Sequence, residues 1–204
     1  KFVRDLNSTL IKDITMHQLF EDGYQEGFRG LGASCGNKMD ICVADLQGVF
    51  MGIDFLCELN KGKLQDFTGK KVAIIGAGNV AADASRSALR LGAQSVTVYY
   101  RRSKNDMPVT EEELFEMERE GIKIETMVAP IKVHGKDGKV SGLELVKMKQ
   151  GKLDASGRYA PVAIEGSNYE VKTDIVISAI GYHPDTSDID PRLEVTKWGS
   201  IASN

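Results

Sequence analysis

Gly76, Gly78 and Ala81 stand in the spacing G-x-G-x-x-A. These three positions do their chemistry by having little or no side chain. Gly76 supplies the backbone angles of a tight strand-to-helix turn. Gly78 lets a pyrophosphate reach the main chain, and Ala81 is small enough for a helix to lie close against a strand. Free N–H groups and the positive dipole end at a helix start then favour an anion. Ala77 and Val80 lie inside the same turn. Asn79 opens the helix, where its side chain either caps the helix or bonds a phosphate. A second chemistry sits at the end of the next strand, in Arg101 and Arg102. An acid there would hold the ribose hydroxyls of a dinucleotide, whereas an arginine accommodates a 2′-phosphate. The guanidinium is a planar charged fork that matches phosphate oxygens and can stack on adenine. Ser103 and Lys104 can add phosphate contacts beside it.

The elements that must position these groups are legible around them. Val72-Ala73-Ile74-Ile75 is an unbroken apolar run after Lys71, read as a strand buried on both faces. Residues 79–91 are rich in Ala, Leu and Arg and read as a helix. Residues 95–100 form a second strand, entered through Gly92. Residues 110–120 form a helix with Glu111, Glu112 and Glu113 in its first turn, where the dipole favours acids, and Gly121 stops it. Residues 122–128 alternate as a third strand. The order so far is βαβαβ, half of a doubly wound fold.

Beyond residue 129 the pattern changes to short strands at 131–134, 140–149 and 169–172. A hairpin turn is expected at Gly135-Lys136-Asp137-Gly138, and a largely polar loop at 150–168. This reads as an antiparallel meander. Residues 175–181 form a second buried strand, expected to rejoin the parallel sheet. Upstream, residues 14–20 allow one or two amphipathic turns, 24–33 make a poor strand, and 53–60 form a short helix. The tail after His183 has little periodicity.

The chain has 204 residues, 42% of them hydrophobic, and a net charge of −3. That is enough for one ordinary core, or for one domain and part of another. No basic stripe points to nucleic acid. No apolar run approaches the roughly 20 residues that span a bilayer, and charges recur through the first positions where a signal peptide would be apolar. Cys35, Cys42 and Cys57 are scattered and odd in number, against a disulfide scaffold, a zinc ribbon or a cysteine-held cluster. A reducing cytoplasm is the compartment expected. His17, His134 and His183 show no ligand spacing, so no metal site is expected. No acid–base or nucleophile constellation can be assembled from the spacing, so no catalytic residue is named.

An ordered set of motifs goes further. It comprises Gly76-Ala77-Gly78-Asn79-Val80-Ala81-Ala82-Asp83, Tyr100-Arg101-Arg102-Ser103, Asp106-Met107-Pro108, the Glu111–Glu113 cluster, Asp154-Ala155-Ser156-Gly157-Arg158, and Asp174-Ile175-Val176-Ile177-Ser178-Ala179-Ile180-Gly181. It resembles the NADPH-binding domain of the glutamate synthase small subunit, a module that recurs in NADPH:ferredoxin oxidoreductase-like subunits and in dihydropyrimidine dehydrogenase. The resemblance covers most of residues 45–185. It implies a Rossmann-like three-layer α/β domain of the FAD/NAD(P)-binding class, with a parallel sheet covered by helices on one side and the meander on the other. Residues 1–44 would be a remnant of a flavin domain, 45–185 the NADPH-binding domain, and 186–204 a return towards the flavin domain.

The resemblance also implies that Ala179, Ile180 and Gly181 border the dinucleotide, that Asp83 belongs to the helix signature, and that Glu112 lies near the coenzyme. NADP(H) would be bound here and FAD elsewhere in a longer protein. Hydride would pass from nicotinamide to flavin and electrons on through an iron–sulfur partner, with the glutamate synthase large subunit or ferredoxin as acceptor. The flavin motifs of the family would precede Lys1 and follow Asn204, so this stretch is expected to bind NADPH and to have no flavin of its own to reduce. A non-catalytic NADP-binding sensor is the rival reading, and a stand-alone NADPH dehydrogenase a weaker one.

Overall fold

Val72 to Ile75 cannot sit at a surface, and the computed structural model puts this run in the middle of a five-stranded parallel sheet. The structure describes residues 13–27, 30, 32–33, 35–37, 39, 46–63, 66–154, 157–186, 193–196 and 199–202. Expectations for Cys42, Ala155 and Ser156, and for much of the segments 1–44 and 186–204, lie outside the described residues. In chain order the elements are α1 (Met16–Glu21), β1 (Cys35–Gly36), β2 (Val49–Met51), α2 (Gly52–Asn60), β3 (Lys71–Ile75), α3 (Asn79–Arg90) and β4 (Ser95–Tyr100). A 3-10 turn (Lys104–Asp106) follows, then α4 (Glu111–Arg119), β5 (Lys123–Thr126), β6 (Val128–Lys136), β7 (Lys139–Leu153), β8 (Tyr159–Ala163), β9 (Tyr169–Val171), β10 (Ile175–Ser178) and β11 (Tyr182–His183).

The chain divides into two compact units, residues 1–34 with 183–204, and residues 35–182. In the first, α1 is opened by a capping box, Gln18 N–H donating to Thr15 Oγ1 and Thr15 N–H to Gln18 Oε1. The second unit holds the sheets. Its parallel sheet runs β2-β10-β3-β4-β5, every neighbour parallel. β10 therefore does rejoin the sheet, and it enters between β2 and β3.

Alternation along each central strand feeds two cores. Val72, Ile74, Val96, Val98, Ile175 and Ile177 face the helices, where Ala81, Ala82, Ala84 and Ala88 of α3 are buried. Ala73, Ile75, Tyr99 and Val176 face the other way, against Val133, Val140, Leu143 and Leu145 of the meander. The sheet is thus helix-covered on one face and meander-covered on the other, as expected. Alanine at four α3 positions lets the helix axis approach the sheet closely, which brings the helix start up to the strand ends.

Two expectations need correction, and one strand was not expected. Residues 122–128 are not one strand: β5 ends at Thr126, and Met127 takes a left-handed conformation (φ 58) before Val128 starts β6. This corner is pinned on both sides, with Met127 N–H donating to the Arg102 carbonyl at 3.1 Å and Met148 N–H donating to the Met127 carbonyl at 2.7 Å. Residues 150–168 are not simply a loop, because β7 continues to Leu153 and β8 pairs with it antiparallel. β8 holds Pro161 and lies at the sheet edge, where a missing N–H is tolerated. β2, between Gly48 and Gly52, is too short to show a period. The hairpin turn itself falls where expected, with Asp137 and Gly138 at φ 52 and 74 between β6 and β7.

Candidate functional site

The turn from β3 into α3 is shaped by what would collide with it. Gly76 has φ +119, and a Cβ there would lie 2.2 Å from the Ala179 carbonyl oxygen. Its N–H donates to the Tyr99 carbonyl at 3.0 Å, and Ala179 N–H donates to the Ile75 carbonyl at 2.7 Å, so the ends of β3, β4 and β10 are laced together around it. Gly78 is the helix N-cap and offers no side-chain acceptor to the first-turn N–H groups. Asn79 is already the first helical residue, so of its two sequence readings the capping one is excluded. A Cβ on Gly78 would meet only Pro108 Cγ, at 3.8 Å. Protein packing therefore does not require glycine at 78, and the space in front of it is open.

That space is a cavity of about 820 Å³ over the carboxyl ends of the parallel strands. Gly76 to Val80 form its floor, Tyr100 to Arg102 one wall and Ala179 to Gly181 the opposite wall, and Pro108, Val128 to Pro130 and Arg158 are among the other lining residues. Of the residues marked from sequence, Gly76, Ala77, Gly78, Asn79, Val80, Arg101, Arg102, Ala179, Ile180 and Gly181 come together around it. Ala81 does not line it; it is fully buried beneath the turn against the sheet. Ser103 and Lys104 are turned elsewhere: the Ser103 hydroxyl donates to Asp106, and Lys104 Nζ pairs with Glu118 of α4 at 2.6 Å. Glu111 to Glu113 serve α4, whose N-cap Thr110 accepts from Glu113 N–H. Asp83 and Glu112 are not among the lining residues.

The sequence reading missed Tyr100, Pro108 and Arg158. Both Asp106-Met107-Pro108 and the segment ending at Arg158 were visible as motifs, but spacing alone did not say that they meet here. Charge is distributed one-sidedly. Among the described lining residues the charged ones are Arg101, Arg102 and Arg158, and there is no carboxylate, histidine or thiol. Arg102 is only 11% exposed; its Nη2 lies 2.7 Å from Asp154 Oδ2, and its buried Nε has no hydrogen-bond partner. Arg101 is exposed at the rim.

Tyr99 also lines the cavity, and burial, then the Glu125 charge, push its phenol up. Tyr169 donates to the Glu125 carboxylate, and its phenol is pushed up by burial first and by that bond second. Both stay neutral at ordinary pH, so they serve as packing groups. The arrangement can hold an elongated polyanion. Among the described lining residues no side chain is poised for proton transfer near neutrality.

The model of the pyridine nucleotide-disulphide oxidoreductase family matches residues 38–204. The chain belongs to this family. Among its relatives in the family is the NADP(+)-dependent formate dehydrogenase subunit beta of Moorella thermoacetica, 38% identical over 97% of this chain. Another is the glutamate synthase [NADPH] small chain of Azospirillum brasilense, 35% identical over 76% of it. The chain spans only 28% and 35% of the lengths of these two relatives. The fold is also that of FprA from Mycobacterium tuberculosis in complex with NADPH, with a TM-score of 0.76 and 20% identity over 93% of this chain and 56% of that one. Among the described residues no helix is long and apolar enough to cross a membrane, and no group of three His, Cys, Asp or Glu is placed to hold a metal.

Proposed function

We propose that residues 45–185 bind NADPH and present it to a flavin held by other parts of a longer oxidoreductase, to which residues 1–44 and 186–204 belong. One observation carries this reading: among the described lining residues the charged groups are guanidinium groups, and the cavity floor is a helix start without a side-chain cap. The open space before Gly78 fits a pyrophosphate, and the N–H groups of the α3 start would hold it. Arg101 and Arg102 would hold the 2′-phosphate, and the wall of Ala179 to Gly181 would border the nicotinamide end. When bound, the coenzyme supplies hydride chemistry; this chain contributes binding and orientation. Such positioning accounts for a large share of the rate in reactions between two held groups. The relatives named as subunits of formate dehydrogenase and glutamate synthase support a further step, in which electrons leave the flavin for an iron–sulfur partner subunit.

Calorimetric titration tests the binding. NADPH is expected to bind more tightly than NADH, and replacing Arg101 and Arg102 together by Ala is expected to weaken NADPH far more than NADH. Equal loss for both coenzymes would remove the 2′-phosphate assignment. Absence of binding by the unmodified chain would remove the reading as a whole.

A further inference from the structure

Arg102 does not stand alone at the strand end. Asp154, just past the end of β7, fixes its Nη2 at 2.7 Å. Asp154 also closes a turn with Arg158: its N–H donates to the Arg158 carbonyl at 2.7 Å, and its Oδ1 accepts from Arg158 N–H at 3.2 Å. One carboxylate thus orients one guanidinium and, through the turn, sets the backbone that carries a second to the cavity wall. We propose that Arg158 is a third phosphate-binding guanidinium and that Asp154 is the residue positioning both it and Arg102. The selectivity for the phosphorylated coenzyme would then be built jointly by the parallel sheet and by the meander. This rests on the NADPH reading given above.

Charge balance supports it. A 2′-phosphate carries close to two negative charges at neutral pH, by analogy with other phosphate monoesters. Arg101 and Arg102 with Asp154 sum to one positive charge, and Arg158 raises the sum to two. Asp106 and Lys149, which share a smaller recess beneath Arg101 and Arg102, are of opposite sign and cancel. Without Arg158 a carboxylate beside the phosphate would leave the site under-charged. With it, Asp154 can align Arg102 and the site still matches a dianion.

The test is calorimetric titration of the full chain with NADPH and with NADH, comparing wild type with Arg158→Ala, Arg158→Lys, Asp154→Ala and Asp154→Asn. Arg158→Ala is expected to weaken NADPH about tenfold, near 1.4 kcal/mol, and NADH less than about twofold on the same scale. Arg158→Lys should recover part of the loss, because a point charge remains without the fork. The aspartate variants decide between two roles. If Asp154 only repelled phosphate, its removal would tighten NADPH; as a positioning residue its removal must weaken NADPH while sparing NADH. Asp154→Asn keeps an oxygen for Arg158 N–H, so it covers the case in which Asp154→Ala opens the turn. A preference for NADPH over NADH that is undiminished in Arg158→Ala, or equal losses for both coenzymes, overturns this inference alone. A wild-type chain that binds neither coenzyme overturns the reading beneath it.

Discussion

Gly76 and Gly78 lie in one turn, and substitution should harm them in different ways. At Gly76 an added methyl would have to adopt φ +119 and would strike the Ala179 carbonyl. A left-handed conformation alone costs an L-residue roughly 1–2 kcal/mol. Gly76→Ala should therefore lower stability by more than that in urea denaturation, with binding lost as a consequence. At Gly78 the backbone has φ −93, and the methyl would meet only Pro108. Gly78→Ala should keep stability within about 1 kcal/mol and weaken NADPH by at least tenfold, about 1.4 kcal/mol. A Gly78→Ala chain that binds NADPH normally would mean that the coenzyme does not cross this turn. The spacing of these residues was legible because each step of the motif has a steric reason. What spacing could not separate was a glycine the fold requires from a glycine that faces open space. That distinction needs the neighbours, and the neighbours come from β10 and from Pro108, far away in sequence. Ser103 shows the limit from the other side. Adjacent to Arg102 in sequence, it is drawn off by Asp106.

At the scale of elements, the parallel strands and their helices were readable because buried runs and capped helices announce themselves locally. β3 shows four buried residues in a row, and Thr110 caps α4 three residues before Glu113. The meander was less readable. β8 carries a proline on an edge, β2 is three residues long, and the corner between β5 and β6 is made by Met127 in a conformation that methionine rarely adopts. The seam between the two sheets holds a half-buried polar link from Tyr169 of β9 to Glu125 of β5. Folding raises the phenol above its ordinary value. The stabilisation it brings is therefore complete below the unfolded tyrosine value near 10 and is lost as pH rises through the folded value. The stability of wild type relative to Tyr169→Phe should thus be greatest at neutral pH and shrink in alkaline buffer, measured by denaturation across that range. A constant difference would show that folding, through burial first and the bond to Glu125 second, does not raise the Tyr169 phenol.

For the whole molecule, a net charge of −3 gave no hint of an anion site. The chain is acidic overall, yet three arginines from the β4 end and the β7–β8 connection converge on one cavity. Convergence of that kind depends on topology, and β10 entering between β2 and β3 is what sets one of the walls. For the proposed function the coenzyme must lie along this cavity in one direction. Its most direct test is a crystal structure of the chain grown with NADP+. The pyrophosphate is expected at the N–H groups between Gly76 and Asn79, and the 2′-phosphate among Arg101, Arg102 and Arg158. A coenzyme seated elsewhere, or one whose 2′-phosphate points away from the three guanidinium groups, would contradict the account.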